Sequence, residues 1–175
     1  MIEALASSQR LGMLGRRPIE EVVDHAQAFV TALADVDGLV VDLGSGGGVP
    51  GLVIAAARPD LRVVLVDRRT TRADHLRRLV GRLGWLGRVD VVAADVSALR
   101  EREPADAAVA RGFGPPLVTL AAAVPLVRAG GLIVVSEPPD DDSTRWPVRE
   151  VAALGAAAAA TPDRRVACFT VRHPV

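Results

Sequence analysis

The chain has no lysine, no asparagine and no tyrosine, and its 175 residues include one cysteine, Cys168. A single cysteine excludes an internal disulfide and any multi-cysteine metal site, so no metal is expected. Its apolar neighbours place the thiol in a core. No apolar run reaches the ~18 residues that a membrane-crossing helix needs, and no membrane association is expected. The opening stretch MIEALASSQRLGMLGRRP sets its arginines after its apolar residues, the reverse of a signal peptide. A cytoplasmic protein is the expectation. Net charge is also missing, because 21 basic residues, all arginine, balance 21 acidic ones. That balance argues against a broad nucleic-acid surface and leaves room for a local patch. An alanine-rich chain without lysine bears the mark of GC-rich coding, so part of the arginine usage reflects codons. Hydrophobic residues make up 50% of the chain, enough to bury a sizeable interior.

Apolar periodicity alternates between two kinds of element. Ile19, Val22, Val23, Ala26, Phe29, Val30 and Leu33 recur at helical spacing behind Pro18, which starts the helix. LVVDL (39–43) reads as a short buried strand, followed by a helix from Pro50 to Ala57. LRVVLVD (61–67) is a second strand, and Thr70 to Leu83 is an amphipathic helix. RVDVVAAD (88–95) and ADAAVA (105–110) are the third and fourth strands, Leu117 to Val127 is helical, and GLIVVSE (131–137) is the fifth strand. PPDDDS (138–143) is a polar loop, and Pro147 to Gly155 a short helix. AAAAATP is ambiguous between helix and strand, while RRVACFTV (164–171) alternates as a final strand and would form an antiparallel edge hairpin with the alanines. Strands alternating with helices imply right-handed βαβ units. The fold class is α/β: a Rossmann-like, doubly wound, mostly parallel sheet of about seven strands. One domain is expected over 1–175, with a helical extension (1–36), a ligand-binding core (37–137) and a C-terminal edge (138–175).

Residues 41–51, VDLGSGGGVPG, join the first strand to the next helix and contain five glycines. Glycine is costly to order, so such a cluster needs a reason. A phosphate-binding P-loop requires GK[ST] after its glycines, and the chain reads Val49-Pro50-Gly51. A dinucleotide fingerprint is matched literally by Gly46 to Gly51, but its first glycine belongs at the strand end, and Asp42 to Ser45 intervene. The remaining phase is Asp42-x-Gly44-x-Gly46-x-Gly48, with an acid two positions before the first glycine. It resembles motif I of class I S-adenosylmethionine methyltransferases. That ligand has no phosphate, so no lysine is needed. Its ammonium and sulfonium favour a nearby carboxylate, and its carboxylate can use backbone N–H groups near a helix start.

Acids also close the next two strands. Asp67 ends LRVVLVD, where a carboxylate can accept both ribose hydroxyls of a nucleoside. NAD would use the same acid, so Asp67 alone does not choose between the two ligands. The third strand runs into Ala94-Asp95-Val96-Ser97. In class I methyltransferases an acid here meets the adenine amine beside an apolar residue. As a structural alternative, Asp67 and Asp95 are helix caps or loop carboxylates.

The match then narrows. The VPG after the glycines, the RP before the second strand, LVD followed by a basic segment ending HLRRLVGRLG, and AVARGF after the fourth strand resemble the RsmG (GidB) family. RRPIEEVVDH upstream fits the same pattern, and the resemblance covers residues 16–137. Those enzymes methylate guanine N7 in small-subunit ribosomal RNA. The resemblance implies S-adenosylmethionine as cofactor and places Gly44, Val49, Val96, Ser97 and Arg111 at its site. With Asp42, Ser45, Gly46, Asp67, Arg68 and Asp95 they form the candidate cofactor set. Three departures stand out. The family's long helical N-terminal part is reduced here to the stretch before Arg16. Its lysine-glycine pair after the fifth strand is Ser136-Glu137-Pro138, and Asp95 stands where a basic residue is common.

Guanine N7 is nucleophilic without losing a proton, so no general base is required, and rate comes from proximity and orientation. Arg111, at the end of the fourth strand, is the candidate catalytic residue; its bland alternative is an ion pair with Asp42 or a surface acid. Glu137-Pro138-Pro139 faintly resembles the [DN]PP[YF] motif of amino methyltransferases, but follows the wrong strand and lacks the aromatic, so it is rejected. Arg68, Arg69, Arg72, Arg77, Arg78, Arg82 and Arg88 crowd one region, as an RNA-phosphate patch or as a solvated helix face. His25 and His75 read as partly buried or capping histidines, and Trp85 and Trp146 as packing residues rather than a base-stacking lid. Ribosomal RNA or the small subunit is the favoured partner. The alternatives are a small-molecule methyltransferase and a non-catalytic cofactor-binding or ribosome-associated module.

Overall fold

The computed structural model describes residues 1–138 and 143–172. The polar loop expected at 138–143, and with it the rejected proline motif, falls largely outside the described residues. Seven strands form one sheet: β1 (Leu39–Leu43), β2 (Arg62–Val66), β3 (Val89–Val92), β4 (Ala105–Ala110), β5 (Val127–Ser136), β6 (Ala156–Ala158) and β7 (Val166–Val171). Their order is β3-β2-β1-β4-β5-β7-β6. β1 to β5 pair in parallel, and β7 runs antiparallel to both β5 and β6. The edge hairpin therefore enters with its second strand inward, and the alanine run settles as strand because Ala156 pairs with Val171.

Among the described residues, six α-helices flank the sheet: α1 (Ile2–Arg10), α2 (Ile19–Ala32), α3 (Gly51–Ala57), α4 (Thr70–Arg82), α5 (Pro116–Ala123) and α6 (Val148–Ala153). Period-two alternation divides the strands between two cores. Val40, Val63, Leu65, Ala107, Val109 and Val134 pack with α1 to α4. Val41, Leu43, Val64, Val66, Ala108 and Ile133 pack with α5, α6 and Leu99. Both faces are covered, which is why these strands read as nearly continuous apolar runs.

Several boundaries differ from the sequence reading. β3 stops at Val92, and Asp95 caps a 3-10 turn at Val96–Leu99. The helix expected to Val127 ends at Ala123, where Pro125 leaves only a 3-10 turn at Val124–Leu126. β5 begins early because Val127 pairs with Ala105 ahead of a register shift. At the N-terminus, α1 docks on α4 through a buried 3.0 Å hydrogen bond between Ser8 Oγ and His75 Nε2. The α1–α2 connection is held by the Gln9 amide, which donates to the carbonyls of Gly15 (2.6 Å) and Arg17 (2.7 Å).

Candidate active site

The sequence order of the strands reverses between β1 and β4, and in doubly wound sheets ligands bind outside the carboxyl ends of strands at such a point. A cavity of about 400 Å³ lies beside it, lined by Gly44, Val66, Asp67, Arg68, Arg69, Arg72, Ala94, Asp95, Val96, Gly112 and Phe113. That volume suits a small-molecule cofactor. Gly44, Asp67, Arg68, Asp95 and Val96 of the candidate set come together here. Asp42, Ser45, Gly46, Val49, Ser97 and Arg111 do not line it.

Each of those six has a defined place. Asp42 sits on the face of β1 shared with Val40 and is fully buried; its Oδ2 accepts the Gly51 N–H at 3.0 Å. Its Oδ1 has no partner among the described residues. Burial pushes the Asp42 pKa up to about 7, against the pull of Ser45, the Gly51 N–H and the charge of Arg111. Ser45 ties β1 to β2: its hydroxyl donates to the Asp42 carbonyl (2.9 Å) and accepts the Val66 N–H (3.0 Å). Val49 is buried in the core under α3. Ser97 donates its N–H (3.0 Å) and hydroxyl (2.8 Å) to Asp95 Oδ1. These bonds hold the Asp95 carboxyl below its usual range. Arg111 is half-buried, its Nη1 has no partner among the described residues, and burial lowers its pKa despite the attraction of Asp42.

Asp67 joins the loop to the cavity. Its Oδ2 accepts the Gly46 N–H and its Oδ1 the Arg69 N–H, both at 2.9 Å, and Arg72 Nη1 lies 3.7 Å from Oδ2. Each oxygen keeps a lone-pair site for a further donor. The glycines are required here by contact as well as by conformation. Gly44 adopts φ +67°, and a Cβ on it would stand 2.9 Å from Phe113 Cδ2. A Cβ on Gly51 would collide with Leu65 and the Asp42 carboxylate. Phe113 is the wall residue that sequence reasoning did not single out. Its signal was AVARGF, read there as a family mark rather than as a ring facing Gly44.

The arginine-rich region divides. Arg68, Arg69 and Arg72 face the cavity. Arg77 pairs with Asp74 at 2.6 Å, and Arg88 stacks on Trp85 at 5.4 Å while donating to the carbonyls of Ala55, Arg58 and Leu61. Trp146 donates to Glu137 at 2.8 Å and packs 4.6 Å from the Phe169 ring. Both tryptophans serve packing. Among the described residues no helix is long and apolar enough to cross a membrane, and no group of three or more His, Cys, Asp or Glu is placed to hold a metal.

Comparison with known proteins adds the following. The model of the GidB family, described as rRNA small subunit methyltransferase G, matches residues 5–139. A ribosomal RNA small subunit methyltransferase G of Rubrobacter xylanophilus is 39% identical over 136 residues, covering 73% of this chain and 52% of that protein. The protein of the same name from Mycobacterium marinum is 34% identical over 151 residues, covering 83% and 66%. The chain thus spans between about half and two thirds of the length of these two relatives. Among solved structures, a SAM-dependent O-methyltransferase from Thermotoga maritima superposes with a TM-score of 0.62 at 16% identity, covering 87% of this chain and 66% of that one. That likeness is one of fold.

Proposed function

The chain belongs to the GidB family, and on that premise we propose that it is an S-adenosylmethionine-dependent methyltransferase acting on a guanine N7 of small-subunit ribosomal RNA. The observation that carries the cofactor reading is the convergence of Gly44, Asp67, Asp95 and Val96 on one cavity at the carboxyl ends of β1 to β3. The residues present fit the cofactor. Asp67 has acceptor sites left for ribose hydroxyls, and Asp95 Oδ2 for an adenine amine. Val96 and Phe113 offer apolar contact to the ring. The buried Asp42 Oδ1 supplies negative potential beneath the glycine loop, where a cationic methionine end would lie.

When bound, S-adenosylmethionine would supply an electrophilic sulfonium methyl: the acceptor nitrogen would bond to that carbon as the carbon–sulfur bond breaks, and the sulfur would leave as the neutral thioether of S-adenosylhomocysteine. The protein needs no general base, since guanine N7 carries a lone pair and no proton. Its work is to orient the two partners and exclude water, and intramolecular-like positioning contributes most of the rate. Arg111, following β4 beside the glycine loop, is the residue assigned to hold acceptor or cofactor in place. The ribosomal acceptor rests on family membership and on the names of the relatives. The small-molecule alternative has no comparable support, and a ribosomal substrate would place the protein in the cytoplasm.

Calorimetry with S-adenosylmethionine and NAD tests the cofactor assignment. Binding of the first and not the second is expected, and the reverse would overturn it. Asp67→Ala should weaken binding about tenfold, by removing charge-assisted acceptors.

A further inference from the structure

The connector between α1 and α2, residues 11–18, reads LGMLGRRP and rests against the glycine loop. A Cβ on Gly47 would stand 2.5 Å from Leu14 Cγ and 2.9 Å from the Met13 carbonyl oxygen, and a Cβ on Gly46 would stand 3.9 Å from that oxygen. Gly47 does not adopt a positive φ, so the close approach of the connector is what requires glycine there. The connector is fixed in this place. The Met13 N–H donates to the Ser8 carbonyl at 2.9 Å, the Gln9 amide holds the carbonyls of Gly15 and Arg17, and Leu14 packs against the core beneath α1 to α4. Arg16 follows Leu14 by two residues, which keeps it within about 7 Å along the chain. Arg16 and Arg17 are both exposed.

A second element, distant in sequence, brings arginines to the same loop. Arg72 Nη1 lies 3.8 Å from the position of a Gly46 Cβ, and Arg68 and Arg69 line the neighbouring cavity. Arg72 is paired with Asp67 at 3.7 Å. Arg16, Arg17, Arg68 and Arg69 make no ion pair with a described residue. The connector holds no acid, and Glu20 and Glu21, exposed in the first turn of α2, form no ion pair with its arginines. Exposed guanidinium groups thus gather at one loop of a chain whose total charge is zero. Their mutual repulsion is relieved by a polyanion with closely spaced charges. Guanidinium forks also match phosphate oxygens bidentately.

We propose that the α1–α2 connector is an RNA-backbone contact, in which Arg16 and Arg17 bind phosphates of the strand that carries the methyl acceptor. The proposal rests on the methyltransferase reading, which sets the cofactor's methionine end over the glycine loop and so brings the acceptor base to the same place. A strand delivering a base to that point runs beside the connector that rests on Gly47. Arg68 and Arg69 add to the attracting field.

The test measures binding of the whole protein to deproteinised small-subunit ribosomal RNA and to 30S subunits across a salt series. Arg16→Gln/Arg17→Gln is compared with wild type and with Arg62→Gln/Arg102→Gln. The latter pair makes the same charge change at the amino ends of β2 and β4, where Arg62 opens β2 and Arg102 precedes β4. Calorimetry with S-adenosylhomocysteine accompanies each protein. Arg16→Gln/Arg17→Gln is expected to bind RNA about tenfold more weakly. Its slope of log K against log salt should be shallower by about 1.5, since each lost phosphate contact removes roughly 0.7–0.9. The control pair should match wild type. Weaker binding with an unchanged salt slope would show a merely structural role and overturn the proposal. An equal change in the control pair, or wild-type affinity and slope in Arg16→Gln/Arg17→Gln, would overturn it as well. A loss confined to 30S subunits would mean that the arginines meet ribosomal protein, which also overturns it. If RNA binding shows the arginine-dependent slope while S-adenosylhomocysteine fails to bind, the methyltransferase reading falls and the phosphate contact stands.

Discussion

At the scale of single residues, Asp42 has the most unusual surroundings. A carboxyl whose folded pKa is raised from 3.8 to about 7 binds more protons in the native state than in the unfolded state between those values. Stability therefore falls as pH rises through that window, by up to a few kcal/mol for a fully buried group. Asp42→Asn removes this contribution. Thermal unfolding from pH 4 to 8 should show a downward slope in the wild type that is shallower or absent in the variant. Parallel curves would contradict the assignment. The two acids differ in how far the sequence discloses their roles. Asp67 was legible because it closes an apolar strand, and the structure places it on the cavity wall. Asp42 was legible as a position, but a strand with two apolar faces does not reveal which face a given side chain takes. That its carboxylate turns toward Gly51 depends on α3 packing above it. Phe113 was legible only as part of AVARGF and not as a cavity wall, since its ring meets Gly44 only after β4 is laid beside β1.

At the scale of elements, the glycine loop and α1 make separable predictions. Gly44→Ala places a side chain at φ +67° and against Phe113. The backbone cost alone is about 1–2 kcal/mol, so a lowered unfolding midpoint is expected. Displacement of Phe113 should weaken S-adenosylmethionine binding as well, measured by calorimetry on the folded variant. The Ser8–His75 bond docks α1 on α4, and Ser8→Ala leaves a buried imidazole nitrogen unsatisfied. That costs about 1–3 kcal/mol, seen as a lower urea midpoint. Neither the docking of α1 nor the early start of β5 was readable from periodicity, because both depend on partners distant in sequence: His75 for Ser8 and Ala105 for Val127. The parallel sheet itself was readable, since β1, β2 and β4 are each followed by an amphipathic or apolar helix.

At the scale of the whole molecule, a chain of zero net charge gathers arginines without ion-pair partners among the described residues at the carboxyl edge of its sheet. Arg68 and Arg69 line the cavity, and Arg111 follows β4 at the same end of the sheet. Arg77 and Arg88, from the same crowded stretch of sequence, are spent on Asp74 and on backbone carbonyls. A methyl acceptor rich in phosphate, as proposed above, suits that distribution. The most direct test is transfer of tritiated methyl from S-adenosylmethionine to 30S subunits and to deproteinised ribosomal RNA, with the labelled nucleoside identified after digestion. The account predicts label in 7-methylguanosine from at least one of the two. Cofactor binding with no label in either substrate, or label in another nucleoside, would contradict it.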